Sequence, residues 1–294
     1  MFKLKSCLSI NLVGGLGFSS EDGKYHYELR KDFEDVIKEM ASAGYDCIEL
    51  DISGTYDSTP IIPILEEGIE IVKKYGIKPN SVHMPMCVGW VDLASPWERD
   101  RKEIAKYYNK LLKYLDKYDF NAYVFHPGGD YCNKQEDVAK FTDYLVESVN
   151  TITEGVKGKV CIENMIYTHI ILDTYDKVAN LLKRCPKAYT CVDVNHFYYE
   201  KAEDVMEKYG NRIGAVHISD YEFGPEQHKL PKDGKINYNK IINALEKAGF
   251  DGGFTYEVSY KKYGYTIKDC LENHKQLFEE YNKNENNWFY KWKS

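Results

Sequence analysis

The sequence predicts an α/β fold, a single (β/α)8 TIM barrel over residues 1–294, and three observations carry that prediction. Short apolar runs alternate with longer amphipathic ones eight times along the chain. Glycine or proline closes most of the amphipathic runs, at Gly44, Gly76, Gly158, Pro186, Gly210 and Gly249, as helix ends require. Histidines and carboxylates recur where the apolar runs stop, and in such barrels that is the face that carries chemistry.

In chain order, strands are expected over residues 7–12, 47–52, 81–85, 122–126, 159–164, 190–195, 213–219 and 253–259. Helices are expected over 28–43, 61–75, 96–118, 135–156, 174–185, 202–209, 238–247 and 267–281. The rival architecture is an open doubly wound sheet. Its phosphate fingerprint is missing, because VGGLGFSS after the first strand has Gly15 and Gly17 but no third glycine three residues on. That glycine cluster reads as a flexible loop over the barrel mouth.

No Pro/Gly/Ser-rich linker divides the 294 residues, so the chain reads as one unit with a short aromatic and basic tail at 288–294. A net charge of −7 argues against a face built for nucleic acid, which needs clustered Lys and Arg. The eight cysteines form no CxxC pair and read as reduced core residues of a cytoplasmic protein. The N-terminal apolar run is broken by Ser, Asn and then glycines, so it is not a signal peptide, and no apolar span reaches membrane length.

Polar residues at the predicted strand ends are His83, His126, Glu163, Asp193, His196, His217 and Glu257. Strand ends are roughly a tenth of such a fold, so histidines scattered at random would place about one there. His83, His126, His196 and His217, four of the eight histidines, fall there. Several carboxylates converging on one mouth require a cation, because uncompensated charges are too costly to bury. In CIELDI, Glu49 and Asp51 share one face, and Glu49 is the better candidate to line the mouth.

The motifs HPGG, IEN, VDxNH, HISD and a final-strand glutamate together resemble the xylose isomerase-like barrels, from Ser6 to Tyr260. That superfamily includes sugar isomerases, ketose 3-epimerases, inosose dehydratases and endonuclease IV. The resemblance implies one divalent ion (manganese, magnesium, cobalt or zinc) held by residues matching Glu163, Asp193, His217 and Glu257. It further implies that Glu163 and Glu257 exchange the substrate proton, while His196 holds the sugar, with His83, His126 and His228 also facing substrate. The expected function is therefore a metal-dependent sugar or sugar phosphate isomerase or epimerase working through an enediolate. The expected partner is a small sugar or polyol, with neither nucleic acid nor membrane, and a homo-oligomer is compatible with this reading.

Alternatives remain open at this point. An inosose-type dehydratase could use the same ion and base, and a sugar-binding barrel without turnover would not need two glutamates. After HISD the chain reads YEFGPEQHKLPKDGKI, and Glu226-x-His228 stands where endonuclease IV carries an Asp-x-His that holds an additional zinc. With His83, His126 and His196 these residues would complete a multinuclear zinc site. Lys232 and Asp233 depart from the glycine-containing loop of many sugar-enzyme relatives, and no arginine follows His217 where ketose 3-epimerases place one. Trp90, Trp97 and Phe18 are candidates to stack on a sugar ring. The helical tyrosines Tyr107, Tyr108, Tyr114 and Tyr118 read as half-buried packing, and Lys232, Lys235 and Lys240 as solvated surface.

Overall fold

A computed structural model describes residues 1–19, 24–53, 61–87 and 91–291; for 14–19, 24–27 and 284–291 it describes the backbone alone. The strands are β1 (Lys5–Asn11), β2 (Val13–Ser19), β3 (Lys24–Leu29), β4 (Cys47–Asp51), β5 (Lys78–His83), β6 (Ala122–Phe125), β7 (Lys159–Glu163), β8 (Tyr189–Asp193), β9 (Ile213–Ile218) and β10 (Gly253–Tyr256). The helices are α1 (Phe33–Ala43), α2 (Ile61–Lys74), α3 (Glu98–Leu115), α4 (Val138–Ile152), α5 (Tyr175–Arg184), α6 (Ala202–Tyr209), α7 (Tyr238–Lys247), α8 (Tyr260–Tyr263) and α9 (Ile267–Lys291). Eight strands close a parallel barrel in the order β1-β10-β9-β8-β7-β6-β5-β4, with β1 pairing β4 to complete the ring.

Strand alternation divides each barrel strand into two faces. The outward residues, among them Val160, Ile162, Val192, Val216 and Ile218, pack against the helices. The inward face of the same strands carries Ala122, Val124, Cys161, Cys191 and Ala215, a separate apolar plug inside the barrel. One step of two residues further along, the inward positions become Glu163, Asp193 and His217. The polar site therefore rests on a floor of small buried side chains. All eight cysteines are buried free thiols, as the absence of CxxC pairs led one to expect.

The structure corrects the sequence reading in three places. The glycine cluster is not a loop: β2 and β3 form an antiparallel hairpin whose register shifts between Gly14 and Leu16. The helix expected from residue 28 starts only at Phe33, because Glu28 and Leu29 belong to β3 and the backbone turns back at Arg30, whose N–H donates to the Leu12 carbonyl at 2.9 Å. The expected tail at 288–294 is helical as far as Lys291, an extension of α9. Several strands also end one to three residues earlier than expected, which leaves His126, Asn164, Asn195 and Glu257 on the loops just past them. Among the helical tyrosines, Tyr108 is fully buried while Tyr114 is exposed. No helix among the described residues is long and apolar enough to cross a membrane.

Candidate metal centre

Glu163, at the end of β7, is the hub. Its Oε2 lies 3.3 Å from His83 Nε2 and 3.4 Å from His126 Nε2, and its Oε1 lies 3.2 Å from His217 Nδ1. Glu257, just past β10, reaches the same His217 Nδ1 at 3.1 Å. Asp193 ends β8 beside them. Ligand-type atoms of Glu163, Asp193, His217 and Glu257 all fall within 4.8 Å of one another, as do those of His83, Glu163 and His217, and those of His196, Glu226 and His228.

His83, His196, His217 and His228 each have one nitrogen committed to holding the ring. His83 Nδ1 lies 3.0 Å from the Met84 carbonyl, His196 Nδ1 2.8 Å from that of Asn164, and His228 Nδ1 3.0 Å from that of Glu257. In each case Nδ1 must donate, so Nε2 faces the carboxylates. His217 is turned the other way: Nε2 lies 3.1 Å from the buried Glu49, which also accepts from the Ser81 hydroxyl at 2.8 Å, and Nδ1 faces Glu163 and Glu257. A ring fixed by one nitrogen and free at the other is how proteins prepare a metal-ligating imidazole.

Electrostatics agree with a place prepared for a cation. Burial lowers His83, but the hydrogen bond and charge of Glu163 outweigh it and lift the imidazole to about 9. Burial likewise opposes charge on His228, and Glu226 overrides it, again to about 9. Burial would raise Glu163, yet His217, His126 and His83 hold it well below the usual carboxylate range. Asp193 is the exception, lifted by burial to about 6 despite His196. Its Oδ2 is buried without a hydrogen bond of proper geometry, although His196 Nε2 stands 3.2 Å away. Four carboxylates and several imidazoles around an orphaned carboxylate oxygen match the donor set of a divalent transition metal such as zinc, so the residues fit the ion.

The third group joins His196, just past β8, to Glu226 and His228 on the loop after β9. Glu226 bridges His196 Nε2 at 2.8 Å and His228 Nε2 at 3.1 Å. The loop is tied down twice. Asp220 accepts from the backbone N–H groups of Tyr221, Lys232, Lys235 and Ile236 at 2.8 to 3.1 Å. Asn195, with its side-chain oxygen facing the loop, accepts from the N–H groups of Glu226 at 3.3 Å and His228 at 3.1 Å. Glu226, His228 and Lys232 all adopt left-handed backbone at φ of 63°, 48° and 79°, the region that favours glycine.

The profile of the family described as "Xylose isomerase-like TIM barrel" matches residues 37–282. The chain belongs to that family. A curated relative, "Probable endonuclease 4" of Methanosphaera stadtmanae, is 28% identical over 172 residues, 53% of this chain. The chain spans 61% of that relative's length. Among solved structures, D-psicose 3-epimerase of Clostridium cellulolyticum H10 with D-tagatose superposes at a TM-score of 0.70 with 17% identity, covering 95% of this chain and 99% of that one. The IOLI protein with a bound zinc atom gives 0.64 with 16% identity over 95% and 98%. At these identities the structures establish the shared barrel.

Within this xylose isomerase-like barrel, every histidine and carboxylate expected at the mouth lies in one cluster: His83, His126, Glu163, Asp193, His196, His217, Glu226, His228 and Glu257. Most of them, together with Met86, Cys87, Met165, Ile166, His169 and Asp130, line a pocket of about 430 Å³. Glu49 does not line the mouth; it lies beneath it and fixes His217. Asn164 is a residue the motif IEN contained without revealing its work: its amide brackets Asp193, donating to the carbonyl at 3.0 Å and accepting from the N–H at 2.8 Å. Trp97 is exposed and meets Tyr131 edge-on, while Trp90 and the Phe18 side chain lie outside the described residues.

Proposed function

We propose that this protein is a divalent-metal-dependent enzyme acting on a small polyhydroxylated substrate, an isomerase or epimerase of a sugar or sugar phosphate. The observation that carries the proposal is the meeting of Glu163 and Glu257 on His217, beside Asp193, at the edge of a pocket sized for a small ligand. Glu163, Asp193, His217 and Glu257 would hold the ion, which supplies Lewis acidity toward a carbonyl and its neighbouring hydroxyl.

The two glutamates are unequal. Glu163 is sealed at 1% exposure with both oxygens facing imidazoles, whereas Glu257 is 37% exposed and opens toward the pocket. Glu257 is therefore the group placed to take a proton from a substrate carbon; delivering it to the neighbouring carbon isomerises the sugar, whereas epimerisation requires delivery to the opposite face of the same carbon. His126, His196 and His228 edge the same pocket and can hydrogen-bond hydroxyls. Met86, Cys87, Met165 and Ile166 supply the apolar part of the wall.

A second reading, a zinc phosphodiesterase, is favoured by one observation: His196, Glu226 and His228 form a further ligand group, enough for more than one ion. The endonuclease-named relative is consistent with it. Elemental analysis of the purified chain, together with exchange of ketose α-protons in heavy water and nicking of abasic duplex DNA, separates the two. Exchange without nicking supports the sugar enzyme. Nicking without exchange, with two or three ions per chain, would replace it.

A further inference from the structure

Large aromatic side chains stand in solvent on the loops that rim the pocket. Tyr167 directly follows Ile166 and Tyr198 lies two residues past His196, and both Ile166 and His196 are pocket walls. Their ring centroids are 4.6 Å apart at 38°, and Tyr199 meets Tyr198 edge-on at 5.1 Å. A second pair follows Asp130, another wall: Tyr131 meets Trp97 at 4.7 Å and 85°. All five rings are between 41% and 63% exposed. Clustered rings left in water mark a contact surface, whereas a single one would mean little.

We infer that these aromatic pairs are stacking platforms for further sugar rings, so that the substrate is an oligosaccharide and not a free monosaccharide. The inference rests on the sugar-enzyme reading and extends it outward from the pocket. A pocket of about 430 Å³ is at the small end for binding sites, so additional rings of a longer substrate would lie over the rim. Tyrosine and tryptophan suit that task, offering an apolar face to the C–H side of a pyranose and a polar edge to its hydroxyls. Nucleic-acid bases also stack on such rings, but a strand-binding groove needs cations along the backbone. On these loops Asp130 and Glu200 offset Lys134 and Lys201, leaving no basic track.

The test is calorimetric titration of the zinc-loaded full chain with glucose, fructose, maltose, cellobiose and maltotriose. At least one oligosaccharide should bind about tenfold more tightly than either hexose. The double variant Tyr167→Ala/Tyr198→Ala should erase that margin while leaving hexose affinity, zinc content and circular dichroism unchanged. Equal binding of hexoses and oligosaccharides, or a margin that survives in the variant, overturns the inference and leaves the sugar reading standing. Failure of every sugar in the panel to bind overturns the inference, while the sugar reading falls only if ketose α-proton exchange is absent as well. A variant that turns a dimer into a monomer with sugar affinity intact assigns the surface to a second copy, and tighter binding of oligo-dT than of any sugar assigns it to nucleic acid; either result overturns the inference.

Discussion

Asp220→Ala should detach the loop that carries Glu226 and His228. The carboxylate is fully buried and accepts four backbone N–H groups, two of which, on Lys232 and Lys235, belong to exposed residues and can turn to water. The other two, on buried Ile236 and half-buried Tyr221, have no such recourse. At about 1.5 to 2 kcal/mol for each charge-assisted bond lost there, the substitution costs about 3 to 4 kcal/mol. For a chain of this size that lowers Tm by roughly 5 to 7 °C. Thermal unfolding with and without added zinc reads the effect, and elemental analysis should show that any ion held by His196, Glu226 and His228 is lost. A destabilisation below about 1 kcal/mol with unchanged metal content would refute the anchoring role.

Asp193→Ala should remove the ion from the central group, seen as a lower metal count in native mass spectrometry; full stoichiometry in the variant would contradict the ligand assignment. Glu257→Gln, assayed at saturating metal, should slow α-proton exchange by about 100-fold or more with the fold intact, since an amide cannot accept the proton. Undiminished exchange would place the base elsewhere. His274 packs among Phe254, Tyr256 and Phe278, and burial, aided by Lys3, depresses it from 6.5 to about 4. A neutral buried histidine stabilises the fold above the unfolded value and the effect is lost as pH falls toward 4, because the unfolded chain binds the extra proton. Between pH 7 and pH 5 this amounts to about 2 kcal/mol, which His274→Phe should abolish in denaturant titrations. An unchanged pH slope would mean that other groups dominate.

The barrel and the centre of the site were legible because strand periodicity and strand-end chemistry are local signals. Glu163 and Asp193 end apolar strands and His217 stands one residue short of an end, and that strand-end position put them at one mouth. The hairpin was harder to see. KYHYEL alternates polar and aromatic residues as a strand should, but it runs directly into the acidic start of α1, and the helical pattern absorbed its last residues. Asn164, Asn195 and Asp220 were illegible for another reason: a polar residue after a strand reads as a turn former. Their work lies in bonds to backbone groups as far off as His228 is from Asn195, 33 residues along the chain, which no spacing announces. Glu49 could be placed on the inward face but not at its depth, since depth depends on how the neighbouring strands stagger.

Because Glu49 engages Nε2, His217 has a single lone pair to give, at Nδ1, yet the residue belongs to two of the ligand groups. Both groups cannot be complete at once. An ion among Glu163, Asp193, His217 and Glu257 takes the nitrogen, and an ion beside it would share Glu163 through the oxygen facing His83 and His126. If two ions bind, their loading would therefore be ordered and non-independent. The first ion would meet a full set of ligands, while the second would find a poorer set and a neighbouring positive charge across one carboxylate. A zinc titration of the metal-free chain should accordingly show distinct steps of falling affinity, and identical, independent sites would be incompatible with the tether on His217.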